Sequence, residues 1–466
     1  MQTVVATKAA QDNALMTNLA SKSSPECPPK PSADLPSRTP VASQSEYPIA
    51  RDIEILRIPQ ITIHVFCDTP SIVGAMERAL ADRRMSRANA KLHRGGIVAA
   101  IDLYRHSASP NLVIVESRAA VADLYAQLDS LADVCAAGTK VIVIGYTNDV
   151  AIYRELLLRG VSEYAVAPVD PLSMIAIISR LYRDAGANRF GRSLAFIGAS
   201  GGVGSSTIAQ NVASTIARSY SCDVILADLD LPFGTASLGF DLNPTEGIAQ
   251  ALKDSSRFDD MLLERLLTKC EDHLQVLTAP ATLEQSYDLE EDAFERVLEV
   301  AQTNVPFVVL DLPHIWTSWT KKTLLAADEV VITALPNLAS LRNAKSLIDL
   351  LKQERPNDAP PKLVLNQTGL PKRAEIKPDK FASALHIEPI ACIPFDLAVS
   401  TAANSGKMIA DVSPRSAVCK SFATIAETVT GQRMGNGRKT GLDLLTRLWG
   451  AAASPLRLIR PEISTS

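Results

Sequence analysis

Ten short runs rich in Val and Ile recur along this chain, and stretches with helical spacing lie between many of them. The first four are "ITIHVF", "NLVIVES", "KVIVIGY" and "EYAVAP"; the later six are "SLAFIGAS", "DVILADLD", "LQVLTA", "FVVLDLP", "EVVITALP" and "KLVLNQT". They are apolar almost throughout, which is the pattern of strands buried on both faces. "SIVGAMERALADRR", "AVADLYAQLDSL" and "VAIYRELLLRG" have the spacing of amphipathic helices. Strands alternating with helices predict an α/β class with doubly wound parallel sheets. The polar stretch "RDAGANRFGRS" parts the first four runs from the last six, so two α/β units are expected.

A length of 466 residues fits two or three domains, and 47% hydrophobic against 21% charged residues is enough to build their cores. The net charge of −4 and the 5% aromatic content speak against nucleic-acid binding through bulk charge or base stacking. The 7 cysteines are scattered without a C-x-x-C pair, which argues against a disulfide framework or structural zinc and fits a reducing cytosol. No run reaches the roughly 18 apolar residues of a spanning helix, and no apolar core follows Lys8. A soluble cytoplasmic protein is expected. The boundaries read as a disordered Ser/Pro-rich leader at 1–58, a first α/β unit at 59–184, a linker at 185–193, a second unit at 194–430 and a basic tail at 431–466.

The sharpest motif is "FIGASGGVGSSTIAQNVASTIA". An apolar strand runs to Ser200, Gly201, Gly202 and Gly204 form a loop, and a helix starts near Ser206. Glycines let the backbone wrap an anion and aim N–H groups at it, and the helix start adds its positive dipole end. The motif resembles the deviant Walker A loop of ParA and MinD ATPases, K-G-G-x-G-K-[ST]-[ST]. Here it reads Ser200, Gly201, Gly202, Val203, Gly204, Ser205, Ser206, Thr207, with serine at both lysine positions.

That resemblance implies a P-loop NTPase fold with ATP and magnesium as ligands. It makes Ser206 a magnesium ligand and Asp311 of "VVLDLP" the Walker B carboxylate that acts through water. Asp228 and Asp230 of "LADLD" become the switch acidic pair, with Asp230 near an attacking water. Asn366 of "LVLNQ" falls where the family reads adenine, Pro394 and Phe395 fall in its loop beside the base, and "NSGKMI" resembles the segment after it. Without the lysines, charge building up on the transferring phosphoryl group is unmatched. Two readings stay open: nucleotide binding with slow or absent hydrolysis, and a degenerate empty pocket kept as scaffold. Compensation by Lys321 or Lys322 has no spacing argument behind it.

The first unit resembles a response-regulator receiver, a flavodoxin-like fold. The acidic pair of that family has become Cys67 and Asp68, Glu116 stands at the phosphoacceptor position, Thr147 is approximately in place, and Ala167 precedes Pro168 where lysine is required. Aspartyl phosphorylation is therefore not expected. Glu116 reads either as a fixed phosphate mimic or as part of an inert protein-binding module, and the unit is a pseudo-receiver.

In the tail, Leu442, Leu445 and Trp449 share a helical face with Leu448 beside it. With Arg433, Arg438 and Lys439 this short amphipathic helix is suited either to an anionic inner-membrane surface or to docking on the protein or a partner. His314, just after the Walker B run, reads as a switch-region residue.

A receiver-like unit ahead of a lysine-less MinD/ParA-like unit resembles the TadZ/CpaE family of pilus assembly proteins. The resemblance implies a homodimer at a cell pole that helps to site a Tad (Flp) pilus secretion machine, with the secretion ATPase as partner. Two alternatives differ in class: a MinD-type positioning ATPase that does hydrolyse, and a ParA-type partition protein on DNA, against which the near-neutral charge speaks.

Overall fold

Every residue of LVIVE at Leu112–Glu116 and of FVVLDL at Phe307–Leu312 is buried, as strands covered on both faces must be. These two segments lie inside two separate sheets of a computed structural model that describes residues 57–183, 190–244, 246–253, 257–280 and 287–433. The leader expected at 1–58 lies outside the described residues except for Arg57 and Ile58. Both belong to the body: Ile58 is fully buried and its amide donates to the Arg84 carbonyl. The tail expected at 431–466, with its amphipathic face, lies outside the described residues beyond Arg433.

The first sheet holds β1 (Thr62–Phe66), β2 (Asn89–His93), β3 (Leu112–Glu116), β4 (Lys140–Gly145) and β5 (Glu163–Val166). Its order is β2-β1-β3-β4-β5 with every pairing parallel. Helices cover both faces and bury one apolar cluster on each. Four of these strands are the Val/Ile runs read from the sequence. β2, NAKLH, is an edge strand whose residues are at most half-buried, so it carries no apolar run to read.

The second sheet is built from β6 (Arg192–Gly198), β7 (Val224–Asp228), β8 (Thr268–Glu271), β9 (Leu274–Leu277), β10 (Phe307–Leu312), β11 (Glu329–Ala334), β12 (Lys362–Thr368) and β13 (Pro389–Pro394). The order is β13-β12-β11-β6-β10-β7-β9-β8, parallel except for the antiparallel β8–β9 pair at one edge. Six strands match the expected runs; the edge strands β8 and β13 do not announce themselves. β6 begins at Arg192, inside the stretch read as linker. Its side chains alternate between the two cores, Leu194 and Phe196 to one and Ala195 and Ile197 to the other.

β6 lies between β11 and β10, so chain crossovers leave it in opposite directions. That makes its C-terminal end the topological switch point, where an open α/β sheet offers a crevice. In the first sheet the same point falls between β1 and β3, at Asp68 and Glu116. Among the described residues, no helix is long and apolar enough to cross a membrane.

Candidate functional site

β6 runs into the glycine loop, and the helix Ser205–Tyr220 starts directly after Gly204. Gly202 and Gly204 adopt φ of 75° and 88°, the left-handed region that glycine enters freely. A Cβ on Gly204 would stand 2.5 Å from Asn366 Nδ2, so this position has neither conformational nor spatial room for a side chain. The helix is buried along Ile208, Ala209, Val212, Ala213 and Ile216, which fixes its N-terminus against the sheet.

A cavity of about 470 Å³ opens at the loop. It gathers Gly201, Gly202, Val203, Gly204, Ser205, Ser206 and Thr207 with Asp230, Asn366, Pro394 and Phe395, so the expected loop, switch and base-side residues meet in one place. Asp311 lies behind it at the end of β10, opposite Asp228 of β7 in the strand register. Among the described residues, no lysine or arginine lines this cavity; its charged walls are Asp230 and Asp396. Lys321 and Lys322 do not line it and are paired elsewhere, with Glu354 at 3.0 Å and Glu295 at 3.3 Å.

Three carboxylates cluster at this end of the sheet, Asp230 on the cavity wall and Asp228 and Asp311 buried behind it. Burial raises Asp228 to about 6, while the amides of Ala236 and Asp230 hold it down in part. Burial and then the neighbouring Asp228 push Asp311 well above the carboxylate range, and burial also raises Asp230. Adjacent parallel strands stand about 4.8 Å apart, so like charges on register partners favour holding a proton between them. The Ser206 hydroxyl donates to Asp311, whose Oδ1 is buried without a partner, as is the Ser205 hydroxyl. Orphaned buried oxygens on a phosphate loop fit a phosphate with magnesium, since a cation satisfies the carboxylate and phosphate oxygens replace the missing acceptors. Among the described residues, no group of three or more His, Cys, Asp or Glu could hold a metal. A P-loop site does not need one, because hydroxyl and phosphate oxygens supply the ligands.

Sequence reasoning missed the bracing of this loop. Ser200 Oγ lies 3.2 Å from Ser340 Oγ, and Asn343 Nδ2 donates to the Ala199 carbonyl at 2.8 Å, both from helix Leu338–Glu354. Asn366 donates from Nδ2 to the Val203 carbonyl at 2.8 Å and accepts the Gln367 amide, so its side chain buttresses the loop as well as lining the cavity. His314 Nδ1 sits 3.0 Å from the Gly198 carbonyl. Contacts between residues more than a hundred positions apart leave no local pattern to read.

At the other switch point, Glu116 is buried and fully engaged. The amides of Asp68 and Thr69 donate to it at 2.9 and 3.0 Å, Tyr146 donates at 2.7 Å, and the Thr69 hydroxyl donates as well. Burial alone would raise its pKa, but the bonds from Thr69, Tyr146 and Asp68 outweigh burial and bring it to about 2. Cys67 beside it is driven up to about 11 by burial and then by Glu116, so it is a thiol. Thr147 is exposed, and its main chain, not its hydroxyl, meets Tyr164.

Residues 191–360 match the family model described as an AAA domain. The septum site-determining protein MinD of Bacillus subtilis (strain 168) is 26% identical over 256 residues, which span 52% of this chain and 90% of that protein. Among solved structures, a ParA family ATPase from Chlorobium tepidum TLS is 25% identical at a TM-score of 0.46, over 51% of this chain and 98% of its own. A pilus assembly protein CpaE from Caulobacter crescentus CB15 is 50% identical at a TM-score of 0.27, over 28% of this chain and 98% of its own.

Proposed function

We propose that this chain, whose larger unit is a MinD/ParA-like P-loop NTPase domain, binds ATP with magnesium and hydrolyses it slowly or not at all. One observation carries the reading: a phosphate loop with its full backbone geometry faces a cavity that no described lysine or arginine lines. Main-chain groups of Gly201 to Thr207 and the helix start hold the phosphates, Asn366, Pro394 and Phe395 wall the base side, and Ser206 and Asp311 hold magnesium, the latter through water. Bound there, magnesium supplies positive charge that the protein itself does not. It does not replace a preorganised lysine on the transferring group, a contribution of several kcal/mol to the transition state.

Isothermal titration with magnesium and ATP tests this. Binding that Gly204→Val abolishes, with phosphate release near the blank, is the expected result. No heat at millimolar nucleotide would instead leave the pocket a scaffold.

The finer reading is a localisation or assembly factor for a Tad (Flp) pilus secretion system. It is a cytoplasmic homodimer working at a cell pole or against the inner membrane, with the secretion ATPase as partner. The order of the units supports it, a receiver-like sheet ahead of a lysine-less P-loop domain. Exposed Phe233, Ile315, Trp316 and Leu397 follow cavity residues closely in the chain and supply apolar surface for a second copy. Pull-down of the secretion ATPase from cells carrying the tagged chain tests the partner. A second reading, a hydrolysing MinD-type factor, is favoured by Asp230 reaching the cavity; turnover lost in Asp230→Ala would establish it. A ParA-like role on DNA would show as a gel shift at low salt.

A further inference from the structure

Far along the chain from the phosphate loop, a cluster of arginines and carboxylates ties the two sheets together. Arg83, in a short turn after the first helix of the receiver-like unit, reaches Asp328 Oδ1 at 2.9 Å and Asp358 Oδ2 at 2.7 Å. Arg84 also binds Asp358, and Arg57 reaches Asp328 at 3.3 Å. From the larger unit, Arg355 closes on Asp358 at 2.5 Å and Asn357 donates to Asp82 at 3.1 Å. The Asp358 side chain is only 7% exposed and that of Arg84 12%. Pairs this far from water are little screened, and removing one partner strands the other.

Asp328 and Asp358 stand next to the ends of elements whose other ends meet the loop. Asp328 immediately precedes β11, whose Thr333 carbonyl accepts the Ala199 amide at 2.8 Å. Asp328 also accepts the amide and hydroxyl of Ser193, near the start of β6, which ends at Gly198 in the loop itself. Arg355 caps helix Leu338–Glu354, whose first turns supply Ser340 and Asn343 to Ser200 and Ala199. Two strands and one helix are thus pinned at one end by the receiver-like unit and at the other by the phosphate loop.

We infer that the receiver-like unit controls the phosphate loop in cis: docked through the arginine–carboxylate cluster, it holds β6, β11 and helix Leu338–Glu354 in the arrangement that shapes residues 199–207. Undocking loosens that loop. The effect on ligand affinity rests on the nucleotide reading above, whereas the effect on the loop does not. Rigid elements held by contacts at both ends are a physical means by which such coupling travels.

The test uses the full chain carrying Arg83→Ala and Arg84→Ala together. Neither residue touches the loop or its cavity. Amide hydrogen exchange is followed at 326–330 and at 199–207, alongside affinity for a fluorescent ATP analogue with magnesium. Exchange should rise at both segments and affinity should fall at least about fivefold, within the usual range of coupled sites. Faster exchange at 326–330 with 199–207 unchanged would overturn the coupling, and no change at either would overturn the docking role. Faster exchange at both, in a protein that binds no nucleotide in any form, would uphold the coupling and remove the nucleotide reading. If the double variant does not fold, Arg83→Ala alone, which leaves Arg57, Arg84 and Arg355 on the two carboxylates, is read by the same outcomes.

Discussion

Glu116 stands where a receiver would carry its phosphoacceptor, and its oxygens are already taken by two amides, a threonine hydroxyl and a tyrosine. A carboxylate so held is a poor nucleophile. Incubation with acetyl phosphate followed by mass spectrometry should therefore show no adduct, and a stable one at Glu116 would overturn the pseudo-receiver reading. The same bonds make stability depend on pH in a definite direction. The folded pKa, about 2, lies below the ordinary value of 4.5, so the contribution is complete above about 4.5 and is lost as pH falls toward 2. Urea melts between pH 5 and 2.5 should show this loss, and Glu116→Gln should flatten it; equal slopes in the two proteins would remove Glu116 as the cause. The Ser205 hydroxyl and Asp311 Oδ1 are the opposite case, buried oxygens without a partner, and each such atom costs about 1–3 kcal/mol until a ligand satisfies it.

At the scale of elements, strand β6, the loop and the helix after it form one device. Ile216 of that helix is fully buried against the sheet, and Ile216→Ala should cost roughly 2–5 kcal/mol in a denaturant melt. A much smaller loss would mean that the helix is not seated as described. Replacing Ser200 and Ser205 together by lysine should recover some phosphate release, because Asp230 and Asp311 remain beside the loop. Ser200 is tied to Ser340 of its own chain, so the lysine there has first to displace that contact. Turnover still at the blank in a double variant that binds nucleotide would show that the lysines are not all that is missing.

At the scale of the whole molecule, if the cavity takes nucleotide as proposed, one lined by no described lysine or arginine has little means of gripping a partner through the ligand. Association then falls to apolar surface such as Phe233, Ile315, Trp316 and Leu397, and interfaces of that kind persist with or without ligand. Light scattering should give one dimeric mass with and without ATP. A monomer that dimerises only when nucleotide is added would replace the scaffold reading with a switching one.

Most of the sheet architecture and the loop were legible because burial on both faces writes itself locally. A strand such as LVIVE or FVVLDL has no solvent side on which to place polar residues, and a loop that wraps phosphate needs glycine at defined positions. β2, β8 and β13 escaped because most of their side chains are exposed or only half-buried, which removes the run. The partners of Glu116, the pairing of Lys321 and Lys322 away from the cavity, and the cluster of Arg83, Arg84, Asp328 and Asp358 were decided by tertiary structure alone. Local composition determines whether a segment can be a buried strand or a phosphate loop, because those demands act on neighbours in sequence. Which distant charge meets which depends on how two sheets dock, and a guanidinium found 275 residues away from its carboxylate has no local signature at all.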